Sequence, residues 1–218
     1  SLEAFVAYYT GAHGMSRAEA IAHARDKQAG RVVGQDQALA LIDRARAAGV
    51  AVASHDDDTP ACVDAMHACG VGPAEFPINL ETAQAARDRD MLTIFGAPNV
   101  LRRGSQSGNV AAADAVDAGV CDCLCADYAP WSLLPAALQL ADEHALGLPA
   151  AWALVSATPA RAAGLDDRGR LAPGLRADLL LIDRSGAIPR LRRCWSGGRP
   201  AATHDYPRTA SAAGACVA

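Results

Sequence analysis

One histidine and three aspartates stand together at residues 55–58, in the segment Ala-Ser-His-Asp-Asp-Asp-Thr-Pro. Imidazole and carboxylate groups bind divalent metals and transfer protons in hydrolysis. The apolar run 50–53 is typical of a buried parallel strand, which would place His55 at the carboxyl end of that strand. Chemistry in α/β barrels is located at this end. A structural alternative is that Asp57 or Asp58 only caps the following helix.

Three later strand-like segments also end in a side chain suited to catalysis or binding. Glu75 lies in Ala-Glu-Phe-Pro, Asn99 follows Phe-Gly-Ala-Pro, and Asp127 follows Leu-Cys-Ala. The carboxyl ends of parallel strands meet at one mouth of an α/β structure. The segments together predict one shared site, although each polar residue alone could simply begin a loop.

The longest predicted loop, 99–109, reads Asn-Val-Leu-Arg-Arg-Gly-Ser-Gln-Ser-Gly-Asn. Two arginines followed by small and hydroxyl residues at a helix start are suited to phosphate oxygens. The loop is not a P-loop, because the Gly-Lys-Ser/Thr ending is missing. It predicts a phosphate or pyrophosphate site, with a plain surface loop as the alternative. The predicted contacts are Arg102, Arg103, Ser105, Ser107, Gly108, Asn99 and Asn109.

These residues must be positioned by alternating strands and helices over 49–165, which recur at intervals of about 20 to 30 residues. The pattern predicts an α/β fold with four βα units, the C-terminal half of a TIM-like (β/α)8 barrel. Residues 1–48 are predicted as a helical lead-in. Residues 166–202 are predicted as part of a small β-sandwich domain, and the small-residue tail 203–218 as disordered.

Composition narrows the possible partners and location. The 218 residues carry a net charge of −4, without the basic surface that nucleic-acid binding requires. No apolar run approaches the roughly 20 residues of a membrane span, and no signal peptide is recognisable. Seven cysteines without framework spacing predict reduced thiols and a cytoplasmic location. The alternating cysteines of 121–125 favour core thiols over a zinc site, because no second pair is nearby.

Two segments resemble the C-terminal signature of the amidohydrolase superfamily, where the chain leaves a metal-dependent barrel and enters a small β-domain. They are Ser-Ala-Thr-Pro-Ala-Arg-Ala-Ala-Gly-Leu (156–165) and the run from Gly-Arg-Leu-Ala-Pro-Gly to Leu-Leu-Leu-Ile-Asp (169–183). Segments 53–57, 74–77 and 96–110, with Asp-Tyr at 127–128, resemble the family of α-D-ribose 1-methylphosphonate 5-triphosphate diphosphatases. That family acts in phosphonate breakdown by the carbon–phosphorus lyase pathway.

The resemblance implies a divalent-metal hydrolase that converts a phosphorylated ribose phosphonate, as the 5-triphosphate, to the 5-phosphate and diphosphate. It implies His55, Glu75 and Asp127 as metal ligands, with Asp127 also as the catalytic general base. Asp56 and Asp57 would orient these ligands. Zinc is the implied metal, with manganese or iron as alternatives. Half a barrel would leave two open sheet edges, which favours a homo-oligomer.

The sequence departs from the family pattern at Gln106, where the family often has His, and at Arg103, where Gly is typical. The four earlier strands of the barrel, with the first metal-binding motif, would precede Ser1, so we expect a fragment or a processed product. Another amidohydrolase, such as a deaminase or an acylase, is an alternative. A non-catalytic remnant that needs a partner chain is a second alternative.

Overall fold

The computed structural model describes residues 2–31, 35–105, 108–144, 146–186 and 188–206. They divide into two compact units, 1–50 and 51–218. None of the helices in the described residues is long and apolar enough to cross a membrane.

The first unit is helical, with α1 (Leu2–His13), α2 (Arg17–Arg31) and α3 (Gln35–Ala47). Ser16 and Glu19 form a capping box at the start of α2. The Ser16 backbone N–H donates to Glu19 Oε2 at 2.8 Å, and the Glu19 N–H donates to Ser16 Oγ at 3.3 Å. An ion pair between Arg17 and Glu3 joins α2 to α1.

The second unit contains a parallel sheet in the order β1 (Ser54–His55), β2 (Ala74–Glu75), β3 (Thr93–Gly96) and β4 (Cys123–Cys125). The connections carry the helices α4 (Pro60–Ala68), α5 (Leu80–Arg87), α6 (Ala97–Arg102) and α7 (Ala112–Asp117). Each strand therefore pairs with the next one in sequence, and the predicted α/β class with a parallel sheet is confirmed.

The loop predicted after β3 is wrong at its start, because residues 97–102 form α6. Pro98 in the first turn supplies the backbone angle of a helix start at no cost in hydrogen bonds. Arg103 ends the helix in the left-handed conformation, with φ 56°, where a glycine is usual.

After β4 come a 3₁₀ turn (Pro130–Ser132) and the helices α8 (Leu133–Glu143), α9 (Gly147–Ala153) and α10 (Ala157–Ala162). The main apolar core lies between β3, β4 and these helices, around the fully buried Phe95 and Leu140. Many other core positions are alanines, so the helices can approach the sheet closely.

The amino ends of β3 and β4 are fixed to each other by a polar network. Asp122 Oδ2 accepts the Thr93 backbone N–H at 3.0 Å and lies 3.1 Å from the Thr93 hydroxyl. That hydroxyl also donates to the Val120 carbonyl at 2.5 Å, and Arg87 pairs with Asp122 Oδ1 at 2.5 Å. The network lies at the end of the sheet opposite the strand mouths.

A second, antiparallel sheet has the order β5 (Leu179–Asp183), β6 (Arg190–Ser196) and β7 (Arg199–Thr203). The turn Gly197-Gly198 between β6 and β7 has φ values of 56° and 77°, which only glycine adopts readily. The sandwich predicted around this sheet stays a prediction. Residues 204–206 continue beyond β7, and the remaining predicted tail, 207–218, lies outside the described residues.

Gly169 explains part of the second superfamily-like segment. Its φ is 90°, and an added Cβ would lie 2.9 Å from both Ala160 Cβ and the Ser156 carbonyl oxygen. The turn that leads to β5 therefore packs directly against α10, and only glycine fits there.

Candidate functional site

A pocket of about 130 Å³ lies at the carboxyl end of the parallel sheet. Its wall includes a residue from the end of every strand: Asp56 after β1, Phe76 after β2, Gly96 at the end of β3, and Asp127 after β4. The other lining residues are Pro77, Phe95, Pro98, Asn99, Arg102, Ser105, Asn109, Val110 and Tyr128. The structure thus brings the strand ends to one mouth.

Three of the strand-end residues adopt left-handed backbone conformations. The φ values are 58° at Asp56, 55° at Phe76 and 50° at Asp127. A non-glycine residue in this region costs about 1–2 kcal/mol, so the surrounding structure must impose it. The backbone N–H of Asp56 donates to the Glu75 carbonyl at 2.9 Å, which holds the turn directly after β1. Strained residues concentrate at functional sites, which supports this mouth as the site.

His55 and Glu75 are partners in the register of β1 and β2, and their side chains meet. His55 Nε2 lies 3.8 Å from Glu75 Oε2, and Nδ1 lies 3.3 Å from Asp56 Oδ2. The imidazole also contacts the Phe76 ring edge-on, with centroids 5.3 Å apart. The imidazole thus lies between two carboxylates that can share a proton with it.

The described residues do not by themselves form a metal site. Nowhere in the described ranges do three or more His, Cys, Asp or Glu side chains converge as metal ligands would. The predicted ligands His55, Glu75 and Asp127 do not converge in the structure, and the distance between their strands explains why. Asp127 follows β4, which lies three strand spacings, roughly 14 Å, from β1 along the sheet.

Neither Asp57 nor Asp58 caps the start of α4. Thr59 is the N-cap residue, and its side chain accepts the Cys62 backbone N–H at 3.3 Å. Asp57 is buried and accepts a hydrogen bond from Ser54 Oγ at 2.5 Å, which braces β1 just before His55. The capping alternative is therefore wrong for both aspartates.

The cysteines of β4 are interior thiols. Burial, followed by the nearby Glu75 carboxylate, raises the pKa of Cys125 to about 11. Burial also raises the pKa of Cys123 to about 12 and that of Cys121 further. All six described cysteines are free of disulfides. The interpretation of this segment as core thiols fits these surroundings.

Arg102 is held at the pocket wall by two neighbours. Its Nη2 donates to Asn99 Oδ1 at 2.6 Å, and its Nη1 donates to the Tyr128 hydroxyl. The guanidinium carbon lies 5.9 Å from the centroid of the Tyr128 ring, at its hydroxyl end. Asn99, Ser105 and Asn109 line the same pocket, so four predicted phosphate contacts are brought together.

Arg103 is placed differently from Arg102. Its left-handed backbone ends α6, and its Nη2 pairs with Glu143 Oε1 of α8 at 2.8 Å. It does not line the pocket, so this geometry does not support its predicted phosphate contact. Gly108, with φ 76°, is described but is not part of the lining. Ser107 and Gln106 lie outside the described residues.

Two residues of the site, Phe76 and Tyr128, were not predicted as contacts from their chemistry. Tyr128 directly follows Asp127, and that adjacency was the available signal. The sequence could not indicate Phe76, because a left-handed backbone is uncommon for phenylalanine and cannot be inferred from the residue type.

Comparison with solved structures defines the fold. An amidohydrolase crystal structure aligns with a TM-score of 0.55 and 18% identity, covering 76% of this chain and 48% of that protein. A prolidase complexed with N-methylphosphonate-L-proline aligns with a TM-score of 0.56 and 17% identity, covering 76% and 48%. No family model matches the sequence. Over the aligned part, the chain has the fold of the amidohydrolases.

Sequence comparison then gives a particular relative. The chain is 43% identical over 165 residues to α-D-ribose 1-methylphosphonate 5-triphosphate diphosphatase of Escherichia coli (strain K12). The match covers 75% of this chain and 43% of that enzyme, so the chain spans less than half of its relative. The resemblance to this diphosphatase is therefore confirmed, and the relative is a hydrolase.

Proposed function

We propose that this chain carries the C-terminal half of the active site of a diphosphatase. The reaction is hydrolysis of α-D-ribose 1-methylphosphonate 5-triphosphate to the 5-phosphate and diphosphate, in phosphonate breakdown by the carbon–phosphorus lyase pathway. The 43% identical relative, a diphosphatase named for this triphosphate, supports the reaction. The observation that carries the proposal is the pocket that combines Arg102 and Asn99 with the carboxylate of Asp127.

The pocket chemistry suits cleavage of a phosphoanhydride. Hydrolysis needs a group that accepts a proton from the attacking water and a cation that balances charge on the phosphate oxygens. Asp127 is the base in this proposal, and Arg102 binds the oxygens of the diphosphate that leaves. Asn99, Ser105 and Asn109 supply neutral hydrogen bonds around it.

We infer that the complete protein also binds a divalent metal, zinc, with manganese or iron as alternatives. His55 and Glu75, which meet at 3.8 Å, are the two ligands that this chain would supply. The other ligands must come from groups beyond those the structure describes, because here no set of three converges. Elemental analysis of the full-length protein that contains this chain tests this directly. Metal retained by the wild-type protein and lost in His55→Ala supports it, and identical metal content in both contradicts it.

Diphosphate release tests the function, measured with the full-length protein that contains this chain. Asp127→Ala should lower turnover at least about 100-fold, since it removes the general base. Asp58→Ala is the matched control, because Asp58 is an exposed aspartate that does not line the pocket. Unchanged turnover in Asp127→Ala would remove Asp127 from the reaction.

Two other results would change the assignment. Release of ammonia or of an amide cleavage product, with no diphosphate, would make the protein a deaminase or an acylase. No turnover at all would favour a non-catalytic remnant that needs a partner chain, a possibility supported by the incomplete ligand set. A homo-oligomer and a cytoplasmic location remain parts of the proposal. Light scattering and cell fractionation test them.

A further inference from the structure

We propose that Tyr128 is a positioning residue, which holds the Arg102 guanidinium in the orientation that binds phosphate oxygens. This inference rests on the proposed function of the pocket. Tyr128 contacts Arg102 through its hydroxyl, which accepts a hydrogen bond from Nη1. Asn99 Oδ1 holds Nη2 from the other side at 2.6 Å.

The two contacts fix the guanidinium and leave donors available. Arginine has five N–H groups, and two of those on Arg102 are used by Tyr128 and Asn99. The remaining three can bind two phosphate oxygens side by side, which is the geometry that arginine favours. An arginine at the end of a short surface helix would otherwise lose rotamer freedom when it binds an anion. Tyr128 removes part of that cost before the substrate arrives.

The neighbouring arginine, Arg103, has a different partner. It forms an ion pair with Glu143 and does not line the pocket. Among the described lining residues, Arg102 is the one cation, and Asp56 and Asp127 are the carboxylates. The Tyr128 hydroxyl holds Arg102 at the pocket wall, where its guanidinium is available to substrate.

Calorimetric titration of the full-length protein that contains this chain with inorganic diphosphate tests the proposal. Tyr128→Phe keeps the ring and removes only the hydroxyl, so the Kd should rise about fivefold, the worth of one hydrogen bond. Tyr8→Phe is the matched control, because Tyr8 is 60% exposed, Tyr128 is 61% exposed, and Tyr8 does not line the pocket. The control should leave the Kd unchanged.

A double-mutant cycle separates positioning from a general structural effect. Arg102→Gln should weaken diphosphate binding at least tenfold, and adding Tyr128→Phe to it should change nothing further. Equal effects of Tyr128→Phe in both backgrounds would overturn the proposal, because the hydroxyl would then act without Arg102. A Kd for diphosphate that rises in Arg102→Gln but is unchanged in Tyr128→Phe would also overturn the proposal.

These experiments can distinguish a failure of the Tyr128 proposal from a failure of the proposed function. Diphosphate binding that shows the predicted coupling, in a protein that hydrolyses no triphosphate, supports the positioning role and overturns the proposed function. A full-length wild-type protein that binds no diphosphate overturns both.

Discussion

The Thr93 hydroxyl lies within hydrogen-bond distance of two groups on the segment that leads into β4, the Val120 carbonyl at 2.5 Å and Asp122 Oδ2 at 3.1 Å. Thr93 is fully buried at the start of β3. This side chain therefore links two adjacent parallel strands at the end of the sheet away from the pocket.

Thr93→Val should lower the free energy of unfolding by about 2 kcal/mol. Valine keeps the shape but removes the hydroxyl from Asp122 and from the Val120 carbonyl, and the contact with that carbonyl is buried. Urea denaturation followed by circular dichroism measures the change. A loss below the error of the measurement would mean that the backbone contacts alone hold β3 to β4.

Thr82→Val should change the free energy of unfolding in the opposite direction. Thr82 is also fully buried, but its hydroxyl has no hydrogen-bond partner among the described residues. Valine removes an unsatisfied polar atom without changing the packing, so the free energy of unfolding should rise by about 1 kcal/mol. The same denaturation experiment measures both threonine variants. Destabilisation by Thr82→Val would reveal a partner for the Thr82 hydroxyl.

Gly169→Ala should destabilise the protein by about 2–4 kcal/mol, the sum of a positive φ and a methyl group forced against α10. Gly174→Ala is the control, because Gly174 also has a positive φ, 86°, but an added Cβ there meets nothing within 4 Å. Thermal unfolding of both variants isolates the contact with Ala160. Equal losses would show that the packing against α10 contributes nothing.

Asp183 should make stability depend on pH in the acid range. Hydrogen bonds from the Ser185 hydroxyl and backbone N–H, followed by that from Arg192, hold the pKa of Asp183 well below its usual value. Its stabilising contribution is therefore fully present above the unfolded-state pKa, about 3.9, and is lost as pH falls through the lower folded-state value.

The check compares unfolding of the wild type and Asp183→Asn at pH 7 and at pH 3. The difference in stability should be larger at pH 7 and shrink at pH 3. Asp26→Asn, at an exposed carboxylate in the first unit, provides the control for the substitution itself. A difference that grows on acidification would contradict the assignment.

The order of strands and helices could be predicted because βα units leave a regular pattern of apolar runs and helix starts. The pocket position followed from the same pattern, since parallel strands must end at one mouth. The separation of Arg102 from Arg103 could not be predicted from composition. It depends on the left-handed backbone at Arg103, and the glycine usual at that position in the family was the only hint.

The length of β1 was also beyond the sequence pattern. The apolar run 50–53 suggested a longer strand, but β1 begins at Ser54, and before it only the Val52 carbonyl accepts a backbone N–H, that of Gly72 at 3.1 Å. The distance between the predicted ligands was also beyond the sequence pattern, because local motifs show which residues could be ligands and not which strands lie close enough to share an ion. Metal binding itself stays a prediction.

The sequential order of β1 to β4 has a consequence for how the second unit is made. Each strand pairs with the strand synthesised just before it, so the sheet can grow one βα unit at a time as the chain leaves the ribosome. The pocket wall, however, is complete only when Asp127 and Tyr128 have followed β4 into place. The pocket is therefore completed only after the first three strands of the parallel sheet have been made.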